Sequence, residues 1–247
     1  MQLRKAVILA AGKGERLLPL TKYTPKPLLT IGDKCIIDRV IGNIQAYSDV
    51  DEILVAVSED AYGKFREHFN ENKSQYRCRI TPVSTEQKET SGDLKYVLDE
   101  KGITTGKVIV SYGDVFTEID VRKLVEYHNR CNVAATMSVF QVPDKDVERL
   151  GIARLRKVNG IYLVEDFVEK PKLEEAQSNW ANACYYILNL DKLYSRLRGD
   201  KVKIEEYLFP ELAKERQFAA FKLDAEFWID IGTPVSYDEA NRIASEL

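Results

Sequence analysis

The sequence predicts an α/β protein: a doubly wound, mainly parallel mixed sheet with a β-hairpin, α+β insertion in its second half. Three observations lead there. Short apolar runs at residues 6–11, 52–57 and 107–111 are the length of strands buried on both faces. Amphipathic stretches of helical period separate them, the alternation that builds parallel sheets. Beyond residue 141 the pattern changes, and two short runs flank Asn159-Gly160, a strong hairpin signal.

The first run, Ala6-Val7-Ile8-Leu9-Ala10-Ala11, is broken by Gly12-Lys13-Gly14. Glycines let the backbone turn tightly and leave its N–H groups open to an anion. Arg16 follows within one turn, and Lys26 stands between Pro25 and Pro27, which predicts a stiff, extended presentation. Strand, glycine turn and cations together have the layout of a polyphosphate site. Two common phosphate motifs do not fit. A P-loop needs Lys-Ser or Lys-Thr after its second glycine, where Glu15-Arg16 stands, and a dinucleotide fingerprint needs a third glycine where Leu17 stands. A lone Gly-x-Gly is usually a plain strand-to-helix loop; the added Arg16, Pro19-Leu20-Thr21 and residues 25–29 argue for more.

Further along, Asp33 is expected to cap a helix over about 34–46, whose Ile36, Ile37, Val40, Ile41 and Ile44 recur at helical spacing. The run at 52–57 is the second strand, followed by a helix over about 62–70 and a strand near 79–83. A polar loop at 86–91 leads into a helix with Gly92 near its start. The strand at 107–111 ends in Tyr112-Gly113-Asp114, an acid at the carboxyl end of a parallel strand, where ligands bind in such sheets. A helix over 121–129 and a strand over 133–140 precede the hairpin. A helix over 204–216, a strand over 218–223 and a last helix over 235–245, opened by Pro234, complete the chain. The polar stretch 172–179 reads as a mobile loop.

Composition narrows the function classes. The 247 residues are 45% apolar and 30% charged, ordinary for a globular chain. A net charge of −3 gives no general attraction to nucleic acid or an anionic membrane, so a polyanion site must be a local cluster of cations. No apolar stretch approaches the ~20 residues needed to span a bilayer, and the N-terminus does not read as a secretion signal. Cys35, Cys78, Cys131 and Cys184 lack Cys-x-x-Cys spacing and read as reduced thiols of a cytoplasmic protein, not a zinc site. His68 and His128 read as surface residues, leaving little support for histidine catalysis.

The stretch LAAGKGERLLPLT followed by PKPLL resembles the N-terminal signature of the sugar-phosphate nucleotidyltransferases. These enzymes join a nucleoside triphosphate to a sugar 1-phosphate, releasing pyrophosphate. The resemblance implies a Rossmann-like fold with a sugar-binding insertion, and it runs through the whole chain in order. It implies that Leu9, Ala10, Ala11, Gly12, Lys13 and Gly14 cradle the nucleotide and that Arg16 and Lys26 act on its phosphates. Gln87 and Gly92 match the spacing of a base-binding loop, although Asp93-Leu94 departs from the usual residues and leaves the base open. Asp114 matches the family's Gly-Asp motif, and Asp230, in the stretch 227–234, the second carboxylate; together they imply Mg²⁺ ligands, as hard oxygens suit. Gly151, Glu169, Lys170 and Asn182 match the sugar-phosphate positions, with Glu169 accepting from sugar hydroxyls and Lys170 on the phosphate. Cys184 stands where the family has glycine, which leaves the sugar open.

The expectation is one domain over 1–247, nucleotide-binding over about 1–140 and sugar-phosphate-binding over about 141–247, with nothing left after Leu247 for a C-terminal β-helix domain. The expected activity is magnesium-dependent, in-line transfer to a hexose 1-phosphate of glucose or mannose type, with partners limited to these small molecules and a possible second copy of the chain. Two alternatives stand: a non-catalytic, nucleotide-sugar-sensing subunit of the same fold, or a cytidylyltransferase for a non-sugar phosphate.

Overall fold

The structure is a computed structural model that describes residues 3–47 and 49–247. In chain order the strands are β1 (Lys5–Leu9), β2 (Thr30–Ile31), β3 (Lys34–Cys35), β4 (Glu52–Ser58), β5 (Arg79–Thr85), β6 (Lys107–Tyr112) and β7 (Val115–Thr117), then β8 (Ala135–Gln141), β9 (Gly151–Val158), β10 (Ile161–Glu169), β11 (Trp180–Asn189), β12 (Phe218–Lys222) and β13 (Trp228–Asp230). The helices are α1 (Ile36–Gln45), α2 (Glu59–Glu71), α3 (Glu89–Glu100), α4 (Val121–Cys131), α5 (Leu190–Leu193), α6 (Ile204–Lys214) and α7 (Pro234–Ala244).

Among the described residues one large sheet runs in the order β5-β4-β1-β6-β11-β8-β12-β10-β9. The β5, β4, β1 and β6 neighbours are parallel, and β11 joins antiparallel to both β6 and β8. The predicted strands are therefore a parallel half, with a mixed half beyond it. The chain winds outward from β1 to β4 and β5, then returns to β6 on the other side of β1. This reversal makes the carboxyl ends of β1 and β6 the switch point where an open α/β sheet has a crevice.

Both faces are covered. Apolar residues of α1, α2 and α4, among them Ile37, Ile41, Phe65 and Leu124, pack on one side with Ile8 and Val55. On the other, Leu94, Val97, Leu208 and Phe209 of α3 and α6 meet Val7, Leu54 and Val110. Because side chains alternate across a strand, β1 gives Val7 to one layer and Ile8 to the other. Burying a side chain of this size contributes about 1.5–3 kcal/mol. Asn159 and Gly160 both adopt positive φ (48° and 83°), as a tight two-residue hairpin turn demands.

Several local expectations are corrected. Helix α1 starts at Ile36 with Cys35 as its cap residue, because Lys34 and Cys35 are drawn into the β2–β3 ribbon; Asp33 pairs with Arg39 at 2.9 Å instead. Lys26 lies in a one-turn 3₁₀ helix, not an extended segment, and only Pro25 before it is extended. His128 is buried, its Nδ1 2.9 Å from the Thr136 hydroxyl, and burial next to Lys107 and Lys192 pushes its pKa down to about 4. His68 is half-buried against Asp38. The stretch 172–179 is anchored: Leu173 N–H donates to Glu148, Val142 N–H to the Asn179 carbonyl, and the Ser178 hydroxyl to the Ala153 carbonyl.

Candidate active site

At the end of β1 the backbone leaves the sheet. Ala10 N–H still bonds the Ala56 carbonyl, and Gly113 N–H, after β6, bonds the Leu9 carbonyl at 2.9 Å. The Gly12–Gly14 loop rises between them. A cleft of about 360 Å³ is lined by Gly12, Lys13, Gly14, Glu15, Arg16, Lys26 and Gly232. Its cations collect at one end of a protein that is slightly anionic overall, which makes it suited to a polyphosphate.

Two carboxylates lie next to this cleft, Asp114 lining the adjoining cavity of about 560 Å³ and Asp230 another of about 410 Å³. Asp114 follows β6, and Asp230 ends β13. The β7–β13 ribbon brings them together: Asp230 is opposite Val115, and Ile231 N–H donates to the Asp114 carbonyl. Lys26 is buried and its Nζ lies 2.6 Å from Asp114 Oδ2. Burial works against its charge, yet Asp114 and Asp230 outweigh that and raise its pKa. Asp230 is pushed above the usual carboxylate range by burial and by Asp114, against the pull of Lys26, Arg16 and Arg149. A Cβ at position 232 would lie 2.9 Å from Asp230 Oδ2 and 3.0 Å from Arg16 Nη2, so Gly232 lets the guanidinium and the carboxylate close in on the same spot. Two neighbouring carboxylates, one raised by the other, gain from a divalent cation, and their hard oxygens fit Mg²⁺.

Beside the cationic cleft, and sharing Gly12, Lys13 and Arg16 with it, lies a cavity of about 560 Å³. Leu9, Ala11, Gln87, Tyr112 and Asp114 line it, as do Glu86, Glu89, Thr90, Asp93, Lys201 and Lys203. Gln87 is at positive φ, and its amide donates to the Ala11 carbonyl at 2.9 Å, tying the two loops together. Asp93 accepts from Lys88 N–H and is raised mainly by burial. The buried Tyr112 hydroxyl has no protein partner among the described residues. Gly92 is buried and does not line this cavity.

The expected sugar-phosphate residues come from the mixed half of the sheet. Gly151 and Glu169 are opposite one another on β9 and β10, and Lys170 follows at positive φ with its Nζ 3.8 Å from Glu169. Burial raises Glu169, opposed by Lys170 and Lys203. Asn182 is committed internally: its Nδ2 donates to the Tyr186 hydroxyl at 2.6 Å, and its Oδ1 accepts from Cys184 N–H at 2.9 Å. It holds a bulge that aims Cys184 at the centre, where burial and the charges of Asp114, Asp230 and Glu169 keep the thiol protonated.

The structure thus gathers Lys13, Arg16, Lys26, Gln87, Asp114 and Asp230 around adjoining cavities, with Glu169 near enough to act on Cys184. Sequence reasoning missed Lys201 and Lys203, which lie in a polar loop with no motif, and it missed Tyr112 as a lining residue although it precedes Gly113-Asp114.

A mainly parallel sheet with clustered cations and paired carboxylates at its switch point has the frame of a ligand-binding α/β protein. The profile of the nucleotidyl transferase family matches residues 5–246, and the chain belongs to that family. Mannose-1-phosphate guanylyltransferase 1 of Arabidopsis thaliana is 33% identical over 240 residues, covering 94% of this chain and 62% of the relative. A mannose-1-phosphate guanyltransferase of Saccharomyces cerevisiae is 31% identical over 234 residues, with 94% and 62% covered. The chain therefore spans roughly three-fifths of the length of these relatives. A solved UDP-glucose pyrophosphorylase in complex with UDP-glucose shares the fold with a TM-score of 0.83 at 22% identity, 99% of each chain being covered. Among the described residues no helix is long and apolar enough to cross a membrane.

Proposed function

We propose that this chain transfers a nucleotidyl group from a nucleoside triphosphate to a hexose 1-phosphate, and that GTP and mannose 1-phosphate are its substrates. One observation carries the reading: Lys26, Arg16, Asp114 and Asp230 converge between a cationic cleft and a cavity large enough for a nucleotide. The names of the curated relatives support the choice of substrates. So does Asp93, an acceptor on the cavity wall that suits the N–H donors on one edge of guanine and would repel the carbonyl oxygens of uracil or thymine.

In this reading an oxygen of the sugar 1-phosphate attacks the α-phosphorus in line and pyrophosphate leaves. Arg16, Lys13 and the N–H groups of the 12–14 loop follow the charge that grows on the departing pyrophosphate. Lys26 neutralises the α-phosphate side, while Glu169 and Lys170 orient the sugar phosphate. The attacking oxygen is already ionised, so no general base is required. Asp114 and Asp230 would hold Mg²⁺, which when bound neutralises phosphate oxygens.

The test is pyrophosphate release with Mg²⁺ across a grid of nucleoside triphosphates and hexose 1-phosphates. A strong signal for GTP with mannose 1-phosphate is expected, and Asp114→Asn and Arg16→Ala should each lower turnover by about 10²–10⁴-fold while the far-ultraviolet circular dichroism is kept. Near-normal turnover in either variant would remove that residue from the mechanism. Silence across the grid, from protein that still binds a nucleotide sugar, would make the chain a sensing subunit.

A further inference from the structure

On the far side of the segment that carries Lys26, three side chains of different chemistry meet. Cys35 caps α1, Asp38 lies in its first turn, and His68 comes from α2. One ligand atom from each lies within 4.8 Å of the others. His68 Nε2 is 3.0 and 3.1 Å from the two Asp38 oxygens, and the Tyr76 hydroxyl donates to Asp38 at 2.7 Å. The Asp38 and His68 side chains are 15% and 17% exposed, sheltered but within reach of an ion from solution. The Cys35 thiol donates to the Leu28 carbonyl at 3.2 Å, so the cluster backs directly onto the Pro25–Leu29 turn.

We propose that Cys35, Asp38 and His68 form a second metal site, one for Zn²⁺. Thiolate, imidazole and carboxylate are the ligand types of a tetrahedral zinc site, with the fourth position left to water, whereas a Mg²⁺ site would be built from oxygens alone. Around a tetrahedral zinc ion, bonds of about 2.0–2.3 Å set ligand atoms about 3.3–3.6 Å apart, so the His68–Asp38 pair opens slightly, and any wider spacing to Cys35, which is at most 4.8 Å, closes. Loading is balanced: the thiol gives up its proton to solvent, and the imidazole proton moves from Nε2 to Nδ1. That nitrogen faces the Asn72 amide at 3.4 Å, which must turn its oxygen inward to accept. The site ties α1 to α2 and stiffens the turn that presents Lys26. It is independent of the reaction proposed above.

Cobalt(II) titration of the full chain tests it. The expected result is one equivalent bound with a thiolate-to-cobalt band in the near ultraviolet, zinc displacing it, and a Tm raised by several degrees in stoichiometric Zn²⁺. Cys35→Ser should abolish the band and the Tm shift, and His68→Gln should weaken cobalt binding at least tenfold. Absence of the band in the wild type overturns the proposal. So does its persistence in Cys35→Ser, which would place the thiolate elsewhere, at Cys184 for instance. Should Cys35→Ser not fold, an unchanged affinity in His68→Gln is decisive against the site.

Discussion

Cys184 shows how one residue can carry a conformational cost for the sake of position. Its φ is +63°, a region where a side chain costs about 1–2 kcal/mol and glycine almost nothing. The strain is held by Asn182, whose amide bonds both Cys184 N–H and the Tyr186 hydroxyl across the bulge. What the chain obtains is a protonated thiol facing Asp114, Asp230 and Glu169. A thiol so raised is a poor nucleophile, so its role is to occupy space. Cys184→Gly is therefore expected to raise stability by about 1 kcal/mol in urea unfolding, because the relieved strain exceeds the lost contacts of a small, partly buried side chain. A destabilised variant would show that packing dominates. At this scale much of the site was legible. Arg16, Lys26, Asp114 and Asp230 lie beside strand ends and glycines, and such residues keep their place whatever the loops do. His128 was misread although the signal existed: it continues the spacing of Val121, Leu124 and Val125, and all four are buried. Lys201 and Lys203 gave no signal, since two lysines in a polar loop point wherever the tertiary structure sends them.

Between elements, the device that closes the 560 Å³ cavity is a clamp of α3 on the segment before α6. Ser91 N–H donates to the Val202 carbonyl and its hydroxyl to the Arg198 carbonyl. Thr90 accepts from Ile204 N–H and donates to Glu205 at 2.6 Å. Gly92 permits this approach: a Cβ there would lie 2.4 Å from Lys88 Cβ and 2.6 Å from the Asp200 oxygen. The family resemblance assigned Gly92 to the base; the structure gives it a packing reason of its own. Gly92→Ala should cost about 1–3 kcal/mol, as overpacking against backbone does. It should also raise KM for the nucleotide, because Lys201 and Lys203 ride on the displaced segment. Unchanged KM with lost stability would separate the clamp from binding. The strands of the parallel half could be read from their apolar runs, but their sheet order could not. The β7–β13 ribbon was also invisible, since a three-residue pairing between distant segments leaves no periodicity, yet it helps bring the two aspartates together.

Across the whole molecule, two buried titratable groups on opposite faces of the sheet bias stability in opposite directions. Glu205 is pushed up to about 7, mainly by burial, although Thr90 donates to it. Its neutral form is the one the fold prefers, so its stabilising contribution is complete below pH 4.5 and is lost as pH rises through 7. His128 is pushed down to about 4, so its contribution is complete above pH 6.5 and is lost as pH falls through 4. Each group changes stability by about 1.4 kcal/mol per pH unit inside its window. The windows overlap between pH 4.5 and 6.5, where the slopes cancel and these two groups leave stability nearly flat. Glu205→Gln keeps an acceptor for Thr90 and removes one slope. It should match the wild type near pH 4, exceed it by about 3 kcal/mol at pH 8, and expose the falling stability due to His128 below pH 6.5. Urea unfolding of both proteins at half-unit steps from pH 4 to 8 measures the difference. A difference that does not change with pH would mean that Glu205 is ionised throughout, held by the Thr90 hydroxyl and the start of α6 more strongly than burial opposes it.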